Sequence, residues 1–272
     1  MDLNQKILEI LKSTEGDFAV AFKDLSTGDS LYINADQSFH AASTMKTPVM
    51  IELFKQSAEG KFSLDDSIII KNEFASIVDG SPYQMSIGDD SEDGLYSQIG
   101  RKTTIRELNY QMITKSSNLA TNILIDMLDA TKVTATMRQL GANDIKVLRG
   151  VEDIKAFDLG MNNTTTAKDL SIIFEALGRN EVVSEVASSD MLKVLSDQYF
   201  NEIIPAQLPE EAKIAHKTGS ITGVQHDSGL VTLPGGRKYA IVLLSKNLED
   251  VDAGVKAMAR ISKEIYDYVV AN

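Results

Sequence analysis

Three short segments of the chain carry side chains with the types and spacing that nucleophilic catalysis requires. The first is Ser43-Thr44-Met45-Lys46, at the start of a helix predicted over 45–58. A helix brings residues i and i+3 onto one face, so we expect the Lys46 amine to reach the Ser43 hydroxyl. A helix N-terminus favours a developing oxyanion, and a desolvated lysine has a lowered pKa and can act as a base. The alternative is an N-cap serine beside a solvated lysine.

The second segment is Ser116-Ser117-Asn118, which opens a helix predicted over 117–128. Its hydroxyl and amide groups could relay a proton and hold a substrate amide. Serine and asparagine are also good helix caps, so simple capping is the alternative.

The third segment is Lys217-Thr218-Gly219-Ser220, which follows a strand predicted at 212–215. We expect Lys217 to attract a carboxylate and Thr218 to donate a hydrogen bond to it. Gly219 would let a substrate backbone approach closely. An ordinary strand-to-turn junction is the alternative reading of this segment.

The elements that position these segments are β-rich at both ends of the chain and helical in the middle. Strands are predicted at 18–22 and 31–33, and two more at 229–233 and 239–244 flank a hairpin turn at 234–236. Apolar residues at steps of three and four predict helices at 3–11, 45–58, 104–112, 117–128, 132–139, 167–178, 189–199 and 250–270.

The simplest arrangement is an α+β fold, in which an antiparallel sheet built from both chain termini is flanked by helices and carries an inserted all-helical lobe. We predict one α/β lobe from residues 1–40 and 210–272 and a mainly helical lobe from 41–209, with the active site between them. Residues 79–100, rich in Gly, Ser and Asp, are predicted to form a long surface loop, with a place beside the active site as the alternative.

Composition excludes several classes of protein. The 272 residues are 43% hydrophobic and 24% charged, which is typical of a globular protein. A formal net charge of −12 disfavours nucleic acid and anionic lipid as partners. The absence of cysteine excludes disulfides and thiolate sites, and the three histidines lack metal-ligand spacing, so we expect no metal. We expect no membrane span, and the first residues do not resemble a signal peptide.

The three segments, in this order, resemble the S-x-x-K, S-D-N and K-T-G motifs of the serine β-lactamases and penicillin-binding proteins, closest to class A. The resemblance extends over nearly the whole chain. It implies a β-lactamase/transpeptidase-like fold, no cofactor, and opening of a β-lactam through a covalent acyl-enzyme on Ser43. It also implies a periplasmic or secreted monomer whose signal peptide is absent from this sequence, while a cytoplasmic location stays open.

The resemblance also implies a role for each of these residues. Ser43 would be the nucleophile, Lys46 would help to deprotonate it, and Ser116 would pass a proton to the leaving nitrogen. The remaining roles are substrate binding by Asn118, Lys217, Thr218 and Gly219, and an oxyanion hole formed by the backbone N–H groups of Ser43 and Ser220.

The chain departs from the class A pattern in its second motif and in its deacylation base. Ser117 stands where class A members usually have aspartate, and the loop at 79–100 lengthens the spacing between the first two motifs. The glutamate–leucine–asparagine pattern around the class A deacylation base is missing. Glu152 is the nearest candidate, with Asp153 behind it, and an ion pair with Arg149 is the alternative for both.

A further departure concerns an arginine with which class A enzymes often bind the substrate carboxylate. By position, His226 falls near its place and is a candidate substrate-binding residue whose charge changes with pH. The alternative is a strand histidine bonded to Asp227. A protonated His216 would add positive charge beside Lys217.

The leading interpretation is a serine hydrolase that opens β-lactams by acylation and deacylation. The alternatives are a D-alanyl-D-alanine peptidase or esterase of the same fold, acting on a peptidoglycan-like substrate, and a sensor that binds penicillin without hydrolysing it.

Overall fold

The computed structural model describes residues 2–272, which contain eleven strands and nine α-helices. The strands are β1 (Asp17–Asp24), β2 (Ser30–Ile33), β3 (Phe39–His40), β4 (Ser67–Ile69), β5 (Phe74–Ala75), β6 (Pro82–Tyr83), β7 (Lys102–Thr104), β8 (Thr164–Thr165), β9 (Lys213–Ile221), β10 (Val224–Thr232) and β11 (Lys238–Lys246). The helices are α1 (Leu3–Lys12), α2 (Lys46–Ala58), α3 (Ile105–Thr114), α4 (Asn118–Leu128), α5 (Ala130–Gln139), α6 (Ile154–Asp158), α7 (Ala167–Gly178), α8 (Glu185–Ser196) and α9 (Val251–Ala271).

The largest sheet has five antiparallel strands in the order β2-β1-β11-β10-β9. Strand β1 pairs with β11 from Asp17 opposite Lys246 to Asp24 opposite Tyr239, so strands from the two ends of the chain are neighbours. A tight turn closes the hairpin between β10 and β11, where Leu233 N–H donates to Arg237 O at 2.9 Å. The predicted α+β fold, with a sheet built from both termini, is confirmed.

Helices cover both faces of this sheet, and the alternation of side chains along a strand divides the core into two clusters. On one face Phe18, Val20 and Phe22 of β1 pack with side chains of α1 and α9. On the other face Ala19 and Ala21 pack with the helices of the middle of the chain. Small alanines on this second face let the helical part approach the sheet closely.

Several predicted boundaries differ from those observed. Helix α2 begins at Lys46 and is preceded by a 3-10 turn over Ala42–Met45. Helix α8 begins at Glu185 rather than 189, because the Ser184 side chain accepts from Ala187 N–H and caps it. Helix α6 was not predicted, and β9 continues to Ile221, so the third segment lies within a strand and not at a strand-to-turn junction.

The loop predicted at 79–100 contains only the two-residue strand β6 and the two short 3-10 turns Ile87–Asp89 and Tyr96–Gln98. Within residues 2–272, no helix is long and apolar enough to cross a membrane. The division into lobes of 1–40 with 210–272 and 41–209 stays a prediction.

Candidate active site

The three segments meet where the edge strand β9 faces the 3-10 turn and the start of α4. Ser43, Asn118 and Ser220 line both a cavity of about 540 Å³ and an adjoining one of about 430 Å³. The larger cavity extends toward Glu152, and the smaller one is also lined by Thr218. Ser43 therefore lies at the junction of two cavities of the size that binds small molecules.

Gly219 brings β9 close to the turn that holds Ser43. A Cβ at Gly219 would lie 3.1 Å from the backbone nitrogens of both Ser43 and Thr44 and 3.2 Å from the Cβ of Ala42. The expected close approach at Gly219 is thus made by the protein's own backbone. It puts the main chain at Ser220 beside the main chain at Ser43, which are the two positions predicted to form the oxyanion hole.

Lys46 is fully buried, and its ammonium group lies against the second segment. Its Nζ donates to Ser116 O at 2.7 Å, to Ser116 Oγ at 3.2 Å and to Asn118 Oδ1 at 2.9 Å. Burial lowers the pKa of Lys46 to about 7, against the opposing effect of the charges of Asp90 and Glu152. Among the hydrogen bonds of residues 2–272, none joins Lys46 to Ser43, so Lys46 contacts Ser116 and Asn118 in place of the predicted partner.

Lys217 is also fully buried, and it meets Lys46 at the same hydroxyl. Its Nζ donates to Ser116 Oγ at 3.1 Å and to Thr218 O at 3.0 Å. Burial lowers the pKa of Lys217 well below its usual value, and the charge of Lys46 lowers it further. Within the described chain neither lysine forms a salt bridge. The Ser116 hydroxyl therefore lies between two amines that lose protons readily, which suits it to relay a proton.

Ser116 and Asn118 are held by the backbone around the start of α4. Ser116 adopts a left-handed conformation with φ of 58°, which an L residue rarely adopts. Ser117 caps α4 by accepting from Ala120 N–H at 3.2 Å, and the Asn118 amide donates to Asp89 O at 3.2 Å. The capping interpretation therefore holds for Ser117, while the functional roles of Ser116 and Asn118 stay a prediction.

Glu152 lines the larger cavity and also adopts a left-handed conformation, with φ of 58°. Its carboxylate is half-buried and, within residues 2–272, forms neither a hydrogen bond nor a salt bridge. Burial raises the pKa of Glu152, and the nearby charge of Asp89 raises it further. A carboxylate with these properties is a better base than an exposed one.

The ion pairs proposed for Arg149 as the alternative do not form in the described chain. The Arg149 guanidinium donates to Met161 O at 2.9 Å, Gly150 O at 3.0 Å and Asn162 Oδ1 at 3.2 Å. Asp153 accepts from the Ser76 hydroxyl at 2.9 Å and caps α6. Asp153 therefore anchors the loop, which leaves Glu152 as the free carboxylate of this pair.

His226 is fully buried and does not line either cavity. Its Nε2 donates to His40 O at 2.9 Å, while Nδ1 accepts from Ser245 N–H at 3.2 Å and lies 2.8 Å from Gln225 O. Burial lowers the pKa of His226 to about 4, so the ring is neutral at physiological pH. The geometry thus separates His226 from the substrate-binding set.

Asp227, suggested as the partner of His226, instead contacts His216 at 2.9 Å through Nδ1. The side chains of His226 and Asp227 point to opposite faces of β10, as successive residues of a strand do. Among residues 2–272, no group of three or more His, Asp or Glu side chains is arranged to hold a metal ion.

Sequence reasoning missed Asp90, whose carboxylate contacts the start of α4. The only signal was an acidic run in the loop at 79–100, and a run of this kind is usually solvated.

The chain is similar to known proteins over nearly its whole length. Residues 2–269 match the model of a family described as the beta-lactamase enzyme family. The chain is 24% identical to the β-lactamase VEB-1 of Pseudomonas aeruginosa, over 98% of this chain and 90% of that protein. A crystal structure of a β-lactamase from Sphaerobacter thermophilus is 25% identical and superposes with a TM-score of 0.84, over 100% of this chain and 99% of that one.

A second similar structure is that of a mutant of PBP-A, an acyl-enzyme complex with penicillin G. It is 27% identical with a TM-score of 0.84, over 99% of this chain and 97% of that one.

Proposed function

The chain belongs to the β-lactamase enzyme family, and we propose that it hydrolyses β-lactams through an acyl-enzyme on Ser43. The observation that carries the proposal is the meeting of Lys46 and Lys217 at the Ser116 hydroxyl beside Ser43. A buried lysine with a pKa of about 7 is a base at neutral pH, which an exposed lysine is not.

In the acylation step, Ser43 Oγ attacks the carbonyl carbon of the lactam. The proton of Ser43 passes to the neutral amine of Lys46, either directly or through the hydroxyl of Ser116. The backbone N–H groups of Ser43 and Ser220 stabilise the oxyanion, and each such donor is typically worth about 10² to 10³ in rate. The C–N bond then breaks, and the nitrogen takes a proton from Ser116, which regains one from Lys46.

Substrate binding is assigned to the groups that face the smaller cavity. Thr218 donates to the substrate carboxylate, and the Asn118 amide binds the substrate side chain. Burial lowers the pKa of Lys217, but an approaching substrate carboxylate favours the protonated form of this lysine. Lys217 therefore supplies positive charge when the substrate binds. Gly219 contributes through the close backbone approach that its missing side chain allows, and His226 is left out.

Deacylation is assigned to Glu152. Its free, half-buried carboxylate takes a proton from a water molecule, which attacks the carbonyl carbon of the Ser43 ester. The Ser43–acyl bond breaks, and the proton returns to Ser43 Oγ through Lys46 and Ser116. Support comes from the raised pKa of Glu152 and from its place on the wall of the larger cavity.

The test is a time course of intact protein mass after mixing with a penicillin, with hydrolysis of the drug followed in parallel. The wild type should show a brief adduct and progressive hydrolysis. Ser43→Ala should abolish the adduct, and Glu152→Gln should make it last. Glu9→Gln, in an exposed position on α1, is the matched control and should behave as the wild type.

If the wild type forms a lasting adduct with little hydrolysis, the proposed β-lactamase function is wrong, and a D,D-peptidase or a sensor is indicated instead. An adduct that survives Ser43→Ala would overturn the assignment of the nucleophile. A periplasmic or secreted location and a monomeric state are also proposed, the location being supported by the family.

A further inference from the structure

Three consecutive loop residues, Asp89, Asp90 and Ser91, fasten the loop at 79–100 to the start of α4. We call them the loop clamp. The carbonyl of Asp89 accepts from the Asn118 amide at 3.2 Å. The hydroxyl of Ser91 donates toward two neighbouring carbonyl oxygens, that of Lys115 at 2.7 Å and that of Ser116 at 3.1 Å. The clamp therefore contacts residues 115–119, which include the proton-relay and amide groups of the site.

Asp90 makes the central contacts of the loop clamp. Its Oδ1 accepts from the backbone N–H of Asn118 at 2.9 Å, and its Oδ2 accepts from that of Leu119 at 2.9 Å. Ser117 caps only the third of the free N–H groups of α4, that of Ala120. Because a helix N-terminus carries partial positive charge, a carboxylate in this place stabilises the first turn.

Two further hydroxyl groups contact the Asp90 carboxylate. The Tyr96 hydroxyl donates to Asp90 Oδ2 at 3.0 Å, and the Ser117 hydroxyl lies 3.5 Å from the same oxygen. The carboxylate is thus fixed between two parts of the chain. An acidic side chain without these contacts would not be held in one position.

The first turn of α4 and Ser116, which lies just before it, hold the buried lysine of the site. Ser116 and Asn118 supply all three acceptors of the Lys46 ammonium group, and Ser116 also receives Lys217. The charge of Asp90 acts on Lys46 as well. The charged groups around Lys46 are Asp90 and Glu152, which favour its protonated form, and Lys217, whose positive charge opposes it.

We propose that Asp90 is a positioning residue for acylation: its carboxylate fixes the first turn of α4, so that Ser116 and Asn118 hold Lys46 in its working place. The predicted effect on the acylation rate rests on the proposed function. The predicted effects on amide hydrogen exchange and on the titration of Lys46 do not. The loop at 79–100 is then a part of the active site, although none of its side chains is assigned to the chemical step.

The test compares Asp90→Asn with Asp93→Asn. Asp93 is exposed in the same loop, and its substitution removes the same charge. An asparagine keeps the shape of the side chain but can accept from only one of the two N–H groups. We expect Asp90→Asn to slow acylation by a penicillin at least about tenfold. We also expect the acid limb of its pH profile to move to lower pH, because the charge of Asp90 raises the pKa of Lys46. Asp93→Asn should match the wild type in both.

A loss of rate with an unmoved acid limb would overturn the proposal, because a cap that only stabilises the fold does not change the titration of Lys46. An unchanged rate in Asp90→Asn would overturn it as well. If Asp90→Asn does not fold, Tyr96→Phe carries the test: it removes a hydrogen bond from Asp90, so acylation should slow severalfold, and an unchanged rate would refute the positioning role.

Two measurements separate this inference from the proposed function. Amide hydrogen exchange at Asn118 and Leu119 should accelerate in Asp90→Asn, and the titration of Lys46 followed by NMR should move to lower pH. Neither needs a substrate. A wild type that is never acylated would therefore sink the proposed function, whereas unchanged exchange and an unchanged Lys46 titration would sink the role of Asp90.

Discussion

The pKa of Lys46 makes acylation sensitive to pH in the range where most enzymes work. If neutral Lys46 takes the proton of Ser43, the acylation rate follows the fraction of Lys46 that is neutral. With a pKa of about 7, that fraction is about one half at pH 7 and about 1% at pH 5. We therefore expect the rate constant to fall about 50-fold from pH 7 to pH 5 and to rise less than twofold above pH 7.

The assay is stopped-flow acylation by a chromogenic cephalosporin under single-turnover conditions, from pH 5 to pH 9. Glu152→Gln provides an internal check. The negative charge of Glu152 raises the pKa of Lys46, so its removal should move the midpoint to lower pH while the adduct accumulates. A rate that is flat from pH 5 to pH 8, or a midpoint near the ordinary lysine value of about 10, would refute the role of Lys46 as base.

Three further predictions concern stability and packing. Because the pKa of Lys46 is lower in the folded state, unfolding takes up a proton above pH 7, and wild-type stability rises with pH. The free energy of unfolding of wild type minus that of Lys46→Met should therefore rise by about 3 kcal/mol from pH 7 to pH 9.5 in urea titrations, and a constant difference would contradict the lowered pKa. The pKa of His226 is also lower in the folded state, so its contribution is lost as pH falls from about 6.5 to about 4. Over that range the free energy of unfolding of His226→Gln should fall by about 2 to 3 kcal/mol less than that of the wild type. Equal decreases in the two proteins would show that the ring is not kept neutral. Gly219→Ala should lower kcat/KM at least about tenfold by pushing β9 from the Ser43 turn, whereas Gly235→Ala, where a Cβ meets nothing within 4 Å, should not; equal kcat/KM in the two variants would refute the steric argument.

The sequence predicts the parts of the site that lie within short segments. Hairpin residues and apolar periodicity were sufficient for the sheet and for most of the helices, since both are local patterns. The three motifs also predict that Ser43, Ser116, Asn118 and Thr218 come together. The roles of these residues stay proposals, but their proximity is a property of the fold.

The parts that were not predicted depend on contacts between segments distant in sequence. The contacts of Asp90 with α4 join residues 28 and 29 positions apart, and no periodic pattern reports the path of an irregular loop. The loop conformation likewise turns Arg149 toward two backbone carbonyls and the Asn162 side chain instead of Glu152. His216 and His226 lie on one sheet, but only the backbone register decides which of them meets Asp227.

The pairing of β1 with β11 has a consequence for how the chain reaches its native state. More than 200 residues separate the paired positions, so closing this contact costs far more chain entropy than closing a local hairpin. During synthesis β1 has only β2 beside it, and an isolated pair of strands is marginally stable. The sheet, and with it the face that carries Lys217, can therefore assemble only after β11 has left the ribosome. Until then the apolar faces of β1 are covered only by α1 and by the helices of the middle of the chain, without the neighbouring strand β11.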